Sequence, residues 1–259
     1  MNNKIENYNK HYDDGKIKLF MDISTYCNAG CPQCHRTNPD GLDKADWLPL
    51  TQWSIEDFKK AFPPETMAQV NEFQFCGTWG DPMMNRDIRK ICEYIIGESE
   101  SNITINTNGS IRNAEWWWNF GILGRDRIIM AWDIEGHTQE MHSHYRQKTE
   151  LNVILENMEM FSAAGGRSEL FTVVFKHNES HLYDIASLAK EHGASSIFFV
   201  KSNRFENGFD RFYFTDAHGN EKYLEKSSGD QNDKFYWKSY DLNNDEDMRI
   251  IKNESSREK

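Results

Sequence analysis

Residues 16–24, KIKLFMDIS, lead directly into the cysteine loop CNAGCPQC of residues 27–34. The first stretch is rich in apolar residues and predicts a β-strand that ends just before the loop. Cys27, Cys31 and Cys34 give the loop the spacing C-x₃-C-x₂-C. The sequence therefore places three thiols at the end of its first predicted strand.

Three thiolates on a short loop can bind one cubane iron–sulfur cluster, with one iron for each cysteine. The remaining iron is then open to a cofactor, whereas closed four-ligand metal sites are usually structural. Structural zinc is the alternative, and it needs a fourth ligand. His35 adjoins Cys34 and does not easily reach the same ion, and Cys76 ends a separate predicted strand. The spacing therefore favours a [4Fe–4S] cluster.

Predicted strands and helices alternate as far as residue 205. The strands are expected at residues 16–24, 71–76, 102–107, 127–134, 169–175 and 196–200. Such alternation is typical of parallel strands covered by helices. Six units predict an α/β fold, a partial (β/α)₆ barrel similar to a TIM barrel, with a short irregular C-terminal extension. Functional residues of such barrels lie on the loops that follow the carboxyl ends of the strands.

The composition divides the chain into four parts. Residues 1–15 are expected to be an N-terminal extension, and residues 16–205 the barrel core. Residues 206–240 mix aromatic and polar residues and predict a short cap. Residues 241–259 are almost wholly polar, which predicts a disordered tail.

The net charge of −11 argues against bulk nucleic-acid binding and against an anionic membrane surface. No apolar run approaches the length of about 18 residues that a membrane helix needs. The N-terminus lacks the apolar segment of a secretory signal, so a cytoplasmic location is expected. In a reducing compartment, clustered cysteines indicate metal binding or catalysis and not disulfides.

The cysteine loop after a first strand resembles that of the radical S-adenosylmethionine (SAM) superfamily, and further motifs follow it in the family's order. In that family the open iron binds the amino and carboxylate groups of SAM. An electron from the cluster then cleaves SAM to a 5′-deoxyadenosyl radical, which abstracts a hydrogen atom from the substrate. The resemblance implies this activity, one [4Fe–4S] cluster and SAM as cofactors, and a flavodoxin or ferredoxin as reductant. Gln33 departs from the family, which often has an aromatic residue before the third cysteine.

The resemblance also implies SAM-binding residues at the strand ends. Trp79, Gly80 and Asp81 look like the family's Gly-Gly-Glu motif after the second strand, and glycine there permits close backbone approach to a ligand. Thr107 and Asn108 begin a Thr-Asn-Gly sequence after the third strand. Each motif also fits an ordinary turn at the end of a strand.

Three later residues complete the implied SAM site. Asp133 follows the fourth strand and is expected near ribose or substrate hydroxyls, although a solvated strand-end acid fits equally well. Arg146 is expected to pair with the SAM carboxylate, since a guanidinium binds a carboxylate through two parallel hydrogen bonds; an ordinary surface arginine is the alternative. Asn178 is expected either to contact the ribose or to cap the next helix.

No cysteine follows Cys92, whereas the SPASM-type peptide-modifying branch of the superfamily carries auxiliary-cluster cysteines in a C-terminal extension. Cys92 lies on an apolar helix face and is expected in the core. Two other functions stay open: an electron-transfer or metal-binding module without SAM chemistry, and a degenerate barrel that acts as a binding protein. The substrate, a peptide or a small molecule, is not identified by the sequence.

Overall fold

The structure, a computed structural model, describes residues 17–125, 127–205, 208–230 and 233–257. The expected N-terminal extension, residues 1–15, lies outside them. Six parallel strands form the centre of the fold: β1 (Ile17–Met21), β2 (Val70–Phe75), β3 (Asn102–Thr107), β4 (Ile128–Asp133), β5 (Arg167–Val174) and β6 (Ala194–Lys201). They lie in sequence order, and β1 does not pair with β6. The sheet is therefore open, which confirms the predicted partial (β/α)₆ barrel.

Helices connect these strands. They are α1 (Ile55–Ala61), α2 (Pro64–Met67), α3 (Ile88–Glu98), α4 (Ala114–Gly124), α5 (Gln139–Tyr145), α6 (Leu151–Ala163) and α7 (Leu182–Glu191), with a 3₁₀ helix at Pro82–Met84. Side-chain caps fix several of their starts. Ser54 accepts a hydrogen bond from the Asp57 amide, and Asn113 accepts one from the Trp116 amide. The predicted strand–helix alternation follows from these local signals.

The core between the sheet and its helices is rich in aromatic residues. Trp117 is fully buried, with its ring centroid 4.7 Å from that of Trp132, whereas Trp118 faces outward with 39% of its surface exposed. Only part of the tryptophan run at 116–118 can face the sheet, because adjacent helical residues point in different directions. Cys92 is fully buried on α3, as the sequence predicts.

The C-terminal part has more structure than its composition suggests. A hairpin of β7 (Arg211–Thr215) and β8 (Glu221–Glu225) pairs with the loop after the cysteines, through a backbone hydrogen bond of 3.1 Å from Gly41 to Thr215. β9 (Ser239–Asp241) then adds antiparallel to β6, and α8 (Asp245–Ser255) packs against α7.

Residues 241–259, which the sequence predicts to be disordered, include helix α8. Its composition is polar, but Ile251 is fully buried and the Ser255 hydroxyl accepts a 2.8 Å hydrogen bond from the Tyr183 amide. Asn244 caps the first turn of the helix. A narrow apolar contact is therefore enough to order this helix on the core. Within the described ranges, no helix has the length and apolar character needed to cross a membrane.

Candidate functional site

A cavity of about 340 Å³ opens at the carboxyl ends of the parallel strands. The loops after β1, β2, β4 and β6 contribute to its wall, as expected for a barrel of this type. The lining includes Cys31, Cys34, Thr78, Asn106, Asp133 and Arg146. Of the predicted SAM-binding residues, Asp133 and Arg146 reach this cavity, and the other six do not line it.

The three cysteines of the loop lie together at this end of the barrel. Cys31 is buried, and Cys27 and Cys34 are half-buried beside the same apolar cluster. Burial, and then the nearby Asp81 carboxylate, raise the pKa of Cys27 to about 11. Burial also raises the pKa of Cys31, and the neighbouring Cys34 and Cys27 add to that rise although Arg146 opposes it. These raised pKa values favour the neutral thiols, whereas a bound cation would favour the thiolates.

Three thiols on one short loop are a donor set that fits a cubane cluster. In tetrahedral zinc sites the sulfur atoms lie about 3.8 Å apart, because each bond is about 2.3 Å long. Among the described residues, the three cysteines do not form a group whose ligand atoms all lie within 4.8 Å of one another. A cubane instead gives each cysteine its own iron and so accommodates a wider spacing.

The segment after β2 packs tightly against the start of the cysteine loop. The Asp22 carboxylate accepts hydrogen bonds from the amides of Thr78 (3.0 Å) and Trp79 (3.2 Å). A Cβ on Gly80 would lie 2.4 Å from the Ser24 carbonyl oxygen, so only glycine fits there. The next amide, that of Asp81, donates to the Tyr26 carbonyl at 2.7 Å. Gly80 therefore sets the distance between the two loops.

Asp81 is a buried centre of hydrogen bonding, with 3% of its surface exposed. Its carboxylate accepts from the Thr107 hydroxyl (3.0 Å), the Asn108 amide (2.8 Å) and the Asn108 side chain (2.7 Å). It also caps the 3₁₀ helix by accepting from the Met83 amide at 2.9 Å. These donors occupy the lone-pair positions of a carboxylate. The geometry thus gives Asp81 the role of holding the strand-end residues of β3 in place.

Asn108 connects that hydrogen-bond network to the cysteine loop. Its side-chain nitrogen lies 3.0 Å from the Asn28 oxygen and 3.8 Å from the Cys27 sulfur. Ser110 closes the network, since it accepts from Asn28 at 2.7 Å and donates to the Asn108 oxygen at 2.6 Å. Hydrogen bonds to cysteine sulfurs are one of the means by which a protein tunes an iron–sulfur cluster.

Arg146 lies beside Cys31 and belongs to a buried pair that the sequence did not predict. Its guanidinium donates two hydrogen bonds, of 2.7 and 2.9 Å, to Glu135, whose side chain is fully buried. The Asp133 carboxylate lies 3.4 Å away, and the Cys31 sulfur lies 3.8 Å from the remaining terminal nitrogen. Arg146 therefore links two acids to Cys31.

The charges of this group depend on one another. Burial raises the pKa of Asp133 to about 7 against the attraction of Arg146, and Glu135 adds to the rise. Burial also raises the pKa of Glu135. Burial alone would lower the pKa of Arg146, but the two carboxylates outweigh it and raise that pKa. The guanidinium therefore stays charged, while Asp133 titrates near neutral pH.

Asn178 and Gln33 are occupied by contacts within the protein. Asn178 accepts from the Phe175 amide at 2.8 Å and donates to the carbonyls of Glu135 (2.9 Å) and Val173 (3.0 Å). It does not cap α7, whose cap residue is His181. Gln33 accepts a 2.6 Å hydrogen bond from Ser202, which ties the cysteine loop to the end of β6. Asn178 thus fixes the backbone that carries Glu135.

One feature of the sequence could have indicated a role for Glu135. It stands two residues after Asp133, so an extended chain places both side chains on the same face. One sequence does not show which of the two acids pairs with a distant arginine. The choice depends on the position of Arg146, at the end of α5, a helix that the sequence analysis did not predict.

The chain is distantly similar to known proteins. No protein-family model matches the chain. GTP 3′,8-cyclase of Synechocystis sp. is 22% identical over 175 residues, which cover 67% of this chain and 50% of that protein. The chain thus spans half the length of this relative.

Two solved structures have the same fold. Streptococcus suis SuiB bound to SAM matches with a TM-score of 0.57 at 14% identity, over 78% of this chain and 46% of SuiB. The native enzyme anSMEcpe with bound SAM matches with a TM-score of 0.54 at 13% identity, over 71% of this chain and 50% of that protein. The chain therefore has the fold of two proteins that were solved with SAM bound, which is the fold that the resemblance of its cysteine loop implies.

Proposed function

We propose that this protein is a radical SAM enzyme. In this proposal Cys27, Cys31 and Cys34 bind one [4Fe–4S] cluster. The cluster and SAM together supply a 5′-deoxyadenosyl radical that abstracts a hydrogen atom from the substrate. The observation that carries the proposal is the position of Cys31 and Cys34 on the wall of a cavity at the carboxyl ends of the strands, with Cys27 beside the same apolar cluster. Two relatives with the same fold have SAM bound in their structures, which supports the same cofactor here.

The residues of the chain are assigned roles in SAM binding. Arg146 keeps one terminal nitrogen near Cys31, and we assign it to the SAM carboxylate. Asp133, on the cavity wall, is assigned to hydroxyl groups of the ribose or substrate.

The other six predicted residues do not line the cavity and are assigned positioning roles. Trp79 and Gly80 shape the segment after β2, and Asp81 holds Thr107 and Asn108 at the end of β3. Asn178 holds the backbone of Glu135. In this proposal these residues affect SAM binding by positioning the pocket.

A peptide or a small molecule is proposed as the substrate. SuiB has been solved with its precursor peptide SuiA, and anSMEcpe with the peptide Cp18Cys, so peptides bind to proteins of this fold. A flavodoxin or ferredoxin is proposed as the electron donor, and the cytoplasm as the location.

The decisive experiment is an assay for 5′-deoxyadenosine. The protein is purified without oxygen, reconstituted with iron and sulfide, and reduced in the presence of SAM. We expect 5′-deoxyadenosine to form, and we expect Cys31→Ala to abolish it together with the cluster. Cys92→Ala is the matched control, because this thiol is fully buried on α3, and it should retain the iron content of the wild type.

Two other outcomes would change the assignment. If the cluster assembles but neither SAM binding nor 5′-deoxyadenosine is found, an electron-transfer or metal-binding module becomes the better assignment than a radical SAM enzyme. If Cys31→Ala keeps full iron, the cluster assignment itself is wrong.

Asp81→Ala separates SAM binding from cluster assembly. The change removes the acceptor for Thr107 and Asn108, so SAM binding should weaken while the iron content stays unchanged. Equilibrium binding of SAM to the reconstituted protein measures this effect. Unchanged SAM affinity would show that the end of β3 does not shape the SAM pocket.

A further inference from the structure

A second set of potential metal ligands has no role in the SAM site proposed above. His137 is in the loop between β4 and α5, His181 immediately precedes α7, and Asp184 is in the first turn of α7. One ligand atom from each residue lies within 4.8 Å of the other two. The chain thus brings two imidazoles and one carboxylate together from two separate loops.

The spacing of these groups is close to that of a metal site. The His181 ring nitrogen Nδ1 and the Asp184 carboxylate are 3.1 Å apart, and the ring centroids of His137 and His181 are 5.0 Å apart. Ligand atoms around a tetrahedral ion with metal–ligand bonds of about 2.0–2.1 Å lie about 3.4 Å from one another. The separations of at most 4.8 Å in the metal-free structure are therefore somewhat larger than those around a bound ion.

His137 supplies an independent observation. Its Nδ1 atom is buried and has no hydrogen-bond partner among the described residues. A buried polar atom without a partner is costly, and native proteins generally satisfy such atoms. A metal ion coordinated through Nδ1 would satisfy this atom, and the contact between His181 and Asp184 does not.

The two loops are also fixed relative to each other. The Asn178 side chain, three residues before His181, donates a 2.9 Å hydrogen bond to the Glu135 carbonyl, two residues before His137. Because this bond is buried, the two histidines are held near each other before any ion binds. A preformed site loses less conformational freedom on binding than one that must be assembled.

We propose that His137, His181 and Asp184 bind a divalent transition-metal ion, with zinc as the best match. Two imidazoles and a carboxylate are ligands that zinc prefers, and water completes the coordination. The ion clamps the loop after β4 to the start of α7. This site is separate from the cysteines, and the proposal does not depend on SAM chemistry.

The test compares zinc binding by the full-length protein and by single variants. Each protein is treated with a chelator, exchanged into metal-free buffer without oxygen and titrated calorimetrically with Zn²⁺. Bound zinc is then counted by metal analysis after gel filtration. All variants keep every cysteine, so zinc bound by thiols is the same in each. Wild type should bind one equivalent more than His181→Ala and His137→Ala, and Asp184→Asn should weaken that site at least about tenfold.

His192→Ala is the matched control. His192 also pairs with a carboxylate, that of Glu159 at 3.2 Å, but it is not part of the three-ligand group. It should bind as much zinc as the wild type. The His181 side chain is 40% exposed, so its removal should leave the fold intact, and circular dichroism checks this for each variant. Equal stoichiometry and affinity in wild type and His181→Ala, or an equal loss in His192→Ala, would overturn the proposal.

Discussion

Glu135→Gln tests whether the buried pair with Arg146 stabilises the mouth of the barrel. The Glu135 side chain is fully buried, and Arg146 is 13% exposed, with two hydrogen bonds of 2.7 and 2.9 Å between them. Removal of one partner from a buried ion pair costs about 3–5 kcal/mol, because the other charge stays behind without compensation. Asp133 remains 3.4 Å from the guanidinium, so we expect the lower end of that range, about 3 kcal/mol.

The free energy of unfolding is measured by urea denaturation, followed by circular dichroism without oxygen, with every protein in the same cluster-loaded state. Glu169→Gln is the matched control, since its 2.7 Å contact with Arg167 is similar in length but lies at the surface. An exposed pair of this kind contributes less than about 1 kcal/mol. If Glu135→Gln costs no more than this control, the stabilising role of the buried pair is refuted.

A double variant extends the test. In Asp133→Asn/Glu135→Gln, Arg146 loses both carboxylates that the structure places beside it. The double variant should therefore cost more than the sum of the two single changes. Additivity within about 0.5 kcal/mol would mean that the two acids do not share the guanidinium.

Three other changes test the packing at Gly80, the titration of Asp133 and the C-terminal segment. Gly80→Ala should lower the free energy of unfolding, measured by urea denaturation, by about 1–3 kcal/mol, because the new Cβ would lie 2.4 Å from a backbone atom. Gly97→Ala on α3 is the control: its Cβ would meet no atom within 4 Å, so it should be neutral or stabilising. Equal effects of the two changes would contradict the packing argument. The folded-state pKa of Asp133, about 7, exceeds its unfolded value of 3.8, so the wild type should lose up to about 4 kcal/mol of stability as the pH rises from about 4 to 7. Asp133→Asn should lack this part of the decline. Identical stability–pH profiles of the two proteins would refute the prediction. Deletion of residues 239–259 should lower the melting temperature, because β9 pairs with β6, and α8 packs against α7 and buries Ile251. An unchanged melting temperature would show that this segment adds no stability.

Local signals determined the architecture of the core. The six predicted strands correspond to β1–β6, because each combines a short apolar run with a turn or helix cap nearby. The cysteine spacing also indicated where the site would be, since residues after the strands of a parallel barrel meet at one end. These inferences need only the sequence within a few residues of each element.

Helix α8 and the pair of Glu135 with Arg146 depended on the tertiary structure. The polar composition of residues 241–259 predicts disorder, and the helix forms because Ile251 finds a buried contact on a distant part of the chain. Glu135 and Asp133 look alike in sequence, but only the folded chain brings Arg146 between them and Cys31. The sequence by itself determined the periodic elements and the cysteine loop, because these follow from local propensity and spacing. The partners of buried charges were decided by tertiary structure, because they depend on distances between residues far apart in the chain.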